Sequence, residues 1–300
     1  MFANEFFMPA AMRLSLALAG GLSLIVVAER HHLSELRTGV LFKRWRTWAI
    51  TAPLFGAAVM GPGALGVAFV MALSFQGLRE YATIVDLPKP YCIALLVAGL
   101  ASAPIAVSNL TLWRGMPPIL LVIATLTPLW MQDVERGVQR LAYAAFGFAF
   151  IPWLLGYFLL IRDHVTGGRG ILLALGCSVA ISDVAAFAVG NLFGRHRLAP
   201  KLSPAKTWEG VAGNVVGAYL GFFLMSFALP ETLPVGLRWS LPVIVAAGCV
   251  WGDLVESLIK RQFAVKDAGS WLPGFGGLLD RIDSLLVALP LAYTALVLWK

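Results

Sequence analysis

Apolar runs follow one another along almost the whole chain, separated by short loops that carry most of the charge. They occupy residues 12–28, 48–60 with 63–78, 90–107, 117–130, 141–161, 171–193, 208–229, 241–258 and 282–299. A helix needs roughly 20 mostly apolar residues to traverse the hydrocarbon core of a bilayer. The pattern therefore predicts an all-α, polytopic integral membrane protein with about nine transmembrane helices. Gly61 and Pro62 interrupt the second run, which adds a tenth helix if the break separates two. Residues 1–28 lack the small-residue cleavage site of a signal peptide and read as a retained first span.

Composition agrees. Of 300 residues, 59% are hydrophobic and only 13% charged, against about 25% charged in soluble domains, and the mean hydropathy is +0.81. The net charge of +7 does not describe a nucleic-acid-binding face, because the basic residues gather in three short loops. Arg30, Arg37, Lys43, Arg44 and Arg46 occupy the first, Arg195, Arg197, Lys201 and Lys206 the second, and Lys260, Arg261, Lys266 and Arg281 the third. Cytoplasmic loops of membrane proteins are enriched in Lys and Arg, so all three are expected on the cytoplasmic side of a cell membrane. Runs 208–229 and 241–258 are joined by a weakly charged turn (Pro230, Glu231, Pro234, Arg238), so the second and third basic loops must share one face. The chain divides into an N-terminal transmembrane region, 1–165, and a C-terminal region, 166–300, that holds the concentrated polar residues.

Cys92, Cys177 and Cys249 each lie in an apolar run without metal-binding spacing. His31, His32, His164 and His196 are dispersed in loops and are assigned no chemistry. Charged residues in or beside membrane spans are costly and mark functional sites, and two segments hold them. The first runs from Ser182 to Gly210 and starts with Asp183 inside an apolar run. Ser203-Pro204 has the form of an N-cap followed by a proline, which would put Lys206, Thr207 and Glu209 in the first turns of the next helix. A helix start reinforced by a lysine suits a bound phosphate.

The second segment runs from Gly252 to Ser284. Asp253, Glu256, Ser257 and Lys260 are spaced to share one helix face. Lys266-Asp267, a glycine-rich turn (Gly274, Gly276, Gly277), and then Asp280, Arg281 and Asp283 follow. Five acidic and four basic residues between Asp253 and Asp283 of so uncharged a chain are not ordinary helix-end neutralisation. Carboxylates without thiolates or clustered imidazoles suit a hard cation such as Mg²⁺, which shares its coordination with substrate phosphates. The nucleotide-binding loops of soluble enzymes are missing. A transporter would carry its charges near mid-span and in related halves, whereas these gather at one end of the C-terminal runs.

These residues resemble the CTP:phosphatidate cytidylyltransferases, the CDP-diacylglycerol synthases. The family pattern S-x-x-K-R-x4-K-D, then a proline-glycine turn with H-G-G, then D-R-x-D, reads here as Ser257, Lys260, Arg261, Lys266, Asp267, Pro273-Gly274-Phe275-Gly276-Gly277, Asp280, Arg281 and Asp283. Upstream, Asp183, Gly190, Phe193-Gly194, Pro200, Ser203-Pro204, Lys206-Thr207 and Glu209-Gly210 precede Gly252-Asp253 and Glu256-Ser257 in the family's order. Together the motifs cover roughly the last 120 residues, while the N-terminal half is similar in hydropathy only. Phe275 stands where the family has histidine, and Phe187 where it has tyrosine.

The resemblance implies a membrane nucleotidyltransferase that converts CTP and phosphatidate to CDP-diacylglycerol and pyrophosphate in phospholipid biosynthesis. It implies Asp253, Asp280 and Asp283 as metal ligands for Mg²⁺, with a second metal or a monovalent cation as a further option. Lys206, Lys260, Arg261, Lys266 and Arg281 then join Asp253 and Asp280 as the catalytic set. Ser203, Thr207, Glu209, Ser257, Asp267, Gly276 and Gly277 are expected to bind substrate. Expected partners are CTP, phosphatidate and membrane lipids, with no nucleic acid, and a homodimer is a further expectation. Two alternatives stay open: a relative acting on another lipid phosphate, and a non-catalytic homologue in which Phe275 has removed a needed histidine.

Overall fold

The computed structural model describes residues 8–16, 19, 20, 23, 39–265, 268, 269, 271 and 276–299. The expected span 12–28 therefore lies largely outside the described residues, as do Arg30 and Arg37. Apart from turns and one small ribbon, the described residues from 39 onward are helical: α1 (Val40–Met60), α2 (Gly63–Ile84), α3 (Lys89–Ser108), α4 (Leu110–Ala124), the short α5 (Leu126–Met131) and α6 (Gly137–Phe148). A π-helical turn, Ala149–Trp153, joins α6 to α7 (Leu154–His164). Then come α8 (Gly168–Phe193), strands β1 (Arg197–Ala199) and β2 (Ser203–Thr207), α9 (Trp208–Leu224), α10 (Val235–Gln262) and α11 (Leu279–Leu298).

Among the described residues, six helical stretches are long and apolar enough to cross a membrane: Lys89–Ser108, Leu110–Met131, Gly137–His164, Gly168–Phe193, Val235–Gln262 and Leu279–Leu298. The remaining long helices differ for identifiable reasons. Helix α1 begins near residue 40, not 48, so Lys43, Arg44 and Arg46 lie in its first turns and not in a loop. Helix α2 ends in Gln76, Arg79 and Glu80, and α9 has 17 residues. Gly61 and Pro62 separate two full-length helices, α1 and α2. Buried Arg162 closes the end of α1, its Nε donating to the carbonyls of Ala58 (2.9 Å) and Val59 (3.1 Å) and its Nη2 to Gly61. A cation there satisfies carbonyls that a helix end leaves unpaired.

Between apolar helices in a bilayer, association depends on close backbone approach and small residues. Helices α8 and α9 meet along Gly213, Gly217 and Gly221; a Cβ on Gly221 would lie 2.5 Å from the Cys177 carbonyl oxygen. The Ser178 hydroxyl donates across the same contact to Ala218 O at 2.7 Å. Helices α10 and α11 approach still more closely. A Cβ on Gly248 would sit 2.6 Å from Ala288 Cα, and one on Gly252 only 2.1 Å from the Asp283 carbonyl oxygen. Because Asp253 follows Gly252, this tight crossing brings the acidic ends of the two helices together.

Overpacking a close-packed contact costs about 1–3 kcal/mol. Gly252→Ala is expected to lower the thermal midpoint of the detergent-solubilised protein, whereas Gly56→Ala, with nothing within 4 Å of the new Cβ, leaves it unchanged. Equal midpoints for the two variants would refute the packing role.

Candidate active site

The polar residues of the C-terminal region converge where the end of α10, the start of α11 and the β1–β2 ribbon meet. On α10, Asp253 and Glu256 are one turn apart and face Asp283 of α11. Single carboxylate oxygens of these three residues all lie within 4.8 Å of one another. Glu256 is 2% exposed and Asp283 3%, and Glu256 Oε1 and Asp283 Oδ2 are buried without a hydrogen-bond donor. The other Asp283 oxygen accepts from Ser284 N–H at 2.7 Å. Unpaired buried oxygens are expensive, and three carboxylates this close repel one another. A hard cation relieves both costs at once, and an all-oxygen donor set suits Mg²⁺. Asp253, Glu256 and Asp283 could hold one.

Two lysines flank the cluster. Lys206, at the end of β2, forms an ion pair with Asp253, tying the ribbon to α10. Lys260 lies between Glu256 Oε2 (2.9 Å) and Asp280 Oδ1 (2.7 Å), so it spans α10 and α11. Asp183 on α8 is within electrostatic range of Asp253, Lys206 and Arg281. The expected charge cluster is therefore assembled from four separate elements.

Asp280, expected among the metal ligands, lies outside the three-carboxylate group, and the reason is local. Its Oδ1 is held by Lys260, and its Oδ2 accepts from the N–H groups of Gly277 (2.8 Å) and Ala268 (3.1 Å). It closes the loop before α11 onto the helix. Gly276 and Gly277, expected to touch substrate, serve the same closure. Gly276 has a φ of +87°, which glycine adopts without steric cost, and a Cβ on it would lie 2.8 Å from Asp280 Oδ2.

The ribbon differs from its expected form. Ser203 is not an N-cap; it lies on β2 opposite Ala199. Helix α9 starts four residues later, with Thr207 as its cap, the Oγ1 accepting from Gly210 N–H at 3.1 Å. Lys206 thus precedes the helix, and Ser203 is turned into the antiparallel pairing. Glu209 accepts from the backbone N–H groups of Arg195 (3.1 Å) and His196 (3.2 Å) and pairs with the His196 ring at 2.6 Å. It fastens the other end of the ribbon. Arg261, exposed at the end of α10, donates through Nε to Leu202 O at 3.2 Å, which unites the second and third basic segments. Ser257 is half-buried on α10 and Arg281 is exposed on α11. Lys266, Asp267 and Phe275 lie outside the described residues.

Glu256, which the sequence placed on the polar face of α10 but not among the metal ligands, stands with Asp253 and Asp283. One residue outside the motifs reaches the same region. Glu80, buried at the end of α2 with 6% exposure, accepts from Leu278 N–H (3.0 Å) and Leu279 N–H (2.8 Å) at the start of α11. A glutamate ending an apolar run was the available signal.

A sequence model of the cytidylyltransferase family matches residues 42–299. The chain is 40% identical over 166 residues to the phosphatidate cytidylyltransferase of Mycobacterium leprae (strain TN), a match covering 55% of this chain and 52% of that protein. It is 40% identical over 168 residues to that of Thermotoga maritima, covering 54% of this chain and 61% of the relative. The matched stretch thus spans about half the length of these relatives. An uncharacterized protein of Escherichia coli (strain K12), YnbB, is 29% identical over 280 residues, 87% of this chain and 89% of that one.

Loss of a helix cap costs about 1 kcal/mol. Thr207→Ala is expected to speed hydrogen exchange at the first turn of α9 while leaving the α10–α11 contact protected; unchanged exchange at Gly210 would contradict the capping assignment.

Proposed function

This chain belongs to the cytidylyltransferase family, and from that premise we propose that it transfers the cytidylyl group of CTP to phosphatidate, releasing pyrophosphate and forming CDP-diacylglycerol. The observation that carries the reading is the group of Asp253, Glu256 and Asp283, whose unpaired buried oxygens lie beside Lys206 and Lys260. The relatives at 40% identity are phosphatidate cytidylyltransferases by name, which supports phosphatidate as the acceptor.

The reaction needs little proton chemistry. A phosphomonoester with a second pKa near 6 is mostly dianionic at neutral pH, so the lipid phosphate attacks without a general base. Its oxygen bonds to the α-phosphorus of CTP while the bond to the bridging oxygen of the β-phosphate breaks, and pyrophosphate carries away that electron pair. The barrier lies in bringing two polyanions together. Asp253, Glu256 and Asp283 would hold Mg²⁺, which would supply charge neutralisation at the reacting phosphates. Lys206 offers its ammonium at the same point and holds the ribbon over Asp253. Lys260 fixes Glu256 and Asp280 relative to each other, keeping α10 and α11 in register. Arg261, Lys266 and Arg281 supply further cations for the triphosphate and the leaving pyrophosphate. Since no proton must be removed, phenylalanine at 275 is compatible with turnover.

The reading includes a multi-pass arrangement of about nine spans in a cell membrane. Helices too polar or too short by composition, such as α1 and α9, complete the count by packing against apolar neighbours. Arg195, Arg197, Lys201, Lys206, Lys260 and Arg261 cluster at the end that holds the carboxylates, which by the positive-inside tendency faces the cytoplasm. CTP then arrives from the cytoplasm and the diacyl substrate from the bilayer.

Membranes carrying the protein are expected to release pyrophosphate from CTP when phosphatidate and Mg²⁺ are added, and to stop when the cation is chelated. Absence of CTP turnover with phosphatidate or any other lipid phosphate would refute the reading. Asp283→Asn is expected to reduce turnover at least about a hundredfold, and Asp280→Asn, which loosens the closure before α11, by about 10–100-fold with membrane insertion intact. Wild-type rates from Asp283→Asn would refute the cation-binding assignment.

A further inference from the structure

The buried carboxylate of Glu80 has no part in the chemistry above, yet it reaches the element that chemistry depends on. Its partners Leu278 and Leu279 are 198 and 199 residues away in sequence. Each Glu80 oxygen accepts one N–H at the start of α11, where helix N–H groups lack intrahelical partners and a negative charge is favoured. Gln76, one turn earlier on α2, donates through Nε2 to Glu80 Oε1 at 2.8 Å, and Arg79 donates to Gln76 Oε1 at 3.4 Å. The carboxylate is thus fixed from its own helix before it grips α11.

The loop preceding α11 closes around the same group. A Cβ on Gly277 would stand 2.7 Å from Glu80 Oε2, and one on Gly269 3.1 Å from Glu80 Oε1. Asp280 meanwhile accepts from Gly277 N–H and Ala268 N–H. Two carboxylates, one from α2 and one from α11, therefore collect four backbone N–H groups, fixing the direction of α11 and holding Ala268 and Gly277 against its start. Asp283 lies one turn further along this helix and contributes one of the two unpaired buried oxygens.

We infer that Glu80 is a positioning residue: by clamping the first turn of α11 it sets Asp283 against Asp253 and Glu256, making the N-terminal half of the chain part of the cation site. The inference rests on the transferase reading for its catalytic consequence, but not for its effect on cation binding. Partners that orient metal ligands typically change affinity or activity by about 10–100-fold when removed. Glutamine at position 80 keeps the size but turns an NH₂ group toward a backbone N–H, so one of the two contacts becomes a donor–donor clash.

The test is Mn²⁺ binding to the detergent-solubilised full chain, followed by electron paramagnetic resonance, together with steady-state kinetics on CTP. Glu80→Gln is expected to weaken Mn²⁺ binding about tenfold or more and to lower kcat with a smaller change in the KM for CTP; Glu80→Asp should fall between it and wild type. A purely structural residue would reduce yield and thermal midpoint while leaving Mn²⁺ affinity and kcat per folded molecule unchanged, and that result overturns the inference. Should Glu80→Gln fail to fold, Gln76→Ala decides. It leaves the carboxylate but frees it, and is expected to weaken Mn²⁺ binding severalfold, whereas wild-type binding overturns the inference. A wild-type chain that binds Mn²⁺ but releases no pyrophosphate would refute the transferase reading alone, and the Mn²⁺ comparison would still decide the role of Glu80.

Discussion

Carboxylates pressed together at the end of two apolar helices are the constraint around which this molecule is organised. Asp253, Glu256 and Asp283 bring oxygens within 4.8 Å of one another, in surroundings where charge is poorly screened and mutual repulsion is strong. Such a grouping persists where the backbone enforces it and cations or a retained proton offset the repulsion. The tight α10–α11 crossing at Gly248 and Gly252 does the first. Lys206 and Lys260 do part of the second, and the two oxygens they leave unpaired could accept the proposed divalent cation.

Seen this way, the surrounding elements have a common purpose. The ribbon carries Lys206 to Asp253 and is held at one end by Glu209 and at the other by Arg261. The loop before α11 is folded back by Asp280, and the first turn of that helix is held by Glu80. Each polar contact ties one helix end to another at the same level of the structure. The proposed chemistry between two phosphate-bearing substrates, one soluble and one anchored in lipid, would call for such a site: cationic, oxygen-lined, and built at the ends of apolar helices.

Much of this was legible in the sequence because charge is rare in the chain. In a 300-residue protein with 13% charged residues, the spacing of Asp253, Glu256 and Lys260 and the Asp280–Asp283 pair stand out against the apolar background, and the family motifs contain them. The apolar runs likewise located the helices, although charged first turns hid the start of α1 at Val40. What could not be read was long-range or conformational. Ser203-Pro204 has the local chemistry of a helix cap, but pairing with β1 draws the segment into a strand and moves the cap to Thr207. Asp280 and Asp283 look equivalent along the chain, and only the contacts of Asp280 with Lys260, Ala268 and Gly277 separate the closing role of one from the proposed cation-facing role of the other. Glu80 acts on residues nearly 200 positions away, beyond the reach of any motif.

Anomalous scattering from crystals grown with Mn²⁺ tests the central claim most directly. A single strong peak bounded by oxygens of Asp253, Glu256 and Asp283, with Asp280 still turned toward Gly277 and Ala268, is the expected result. A peak coordinated by Asp280 in place of Glu256, or none between α10 and α11, would contradict it.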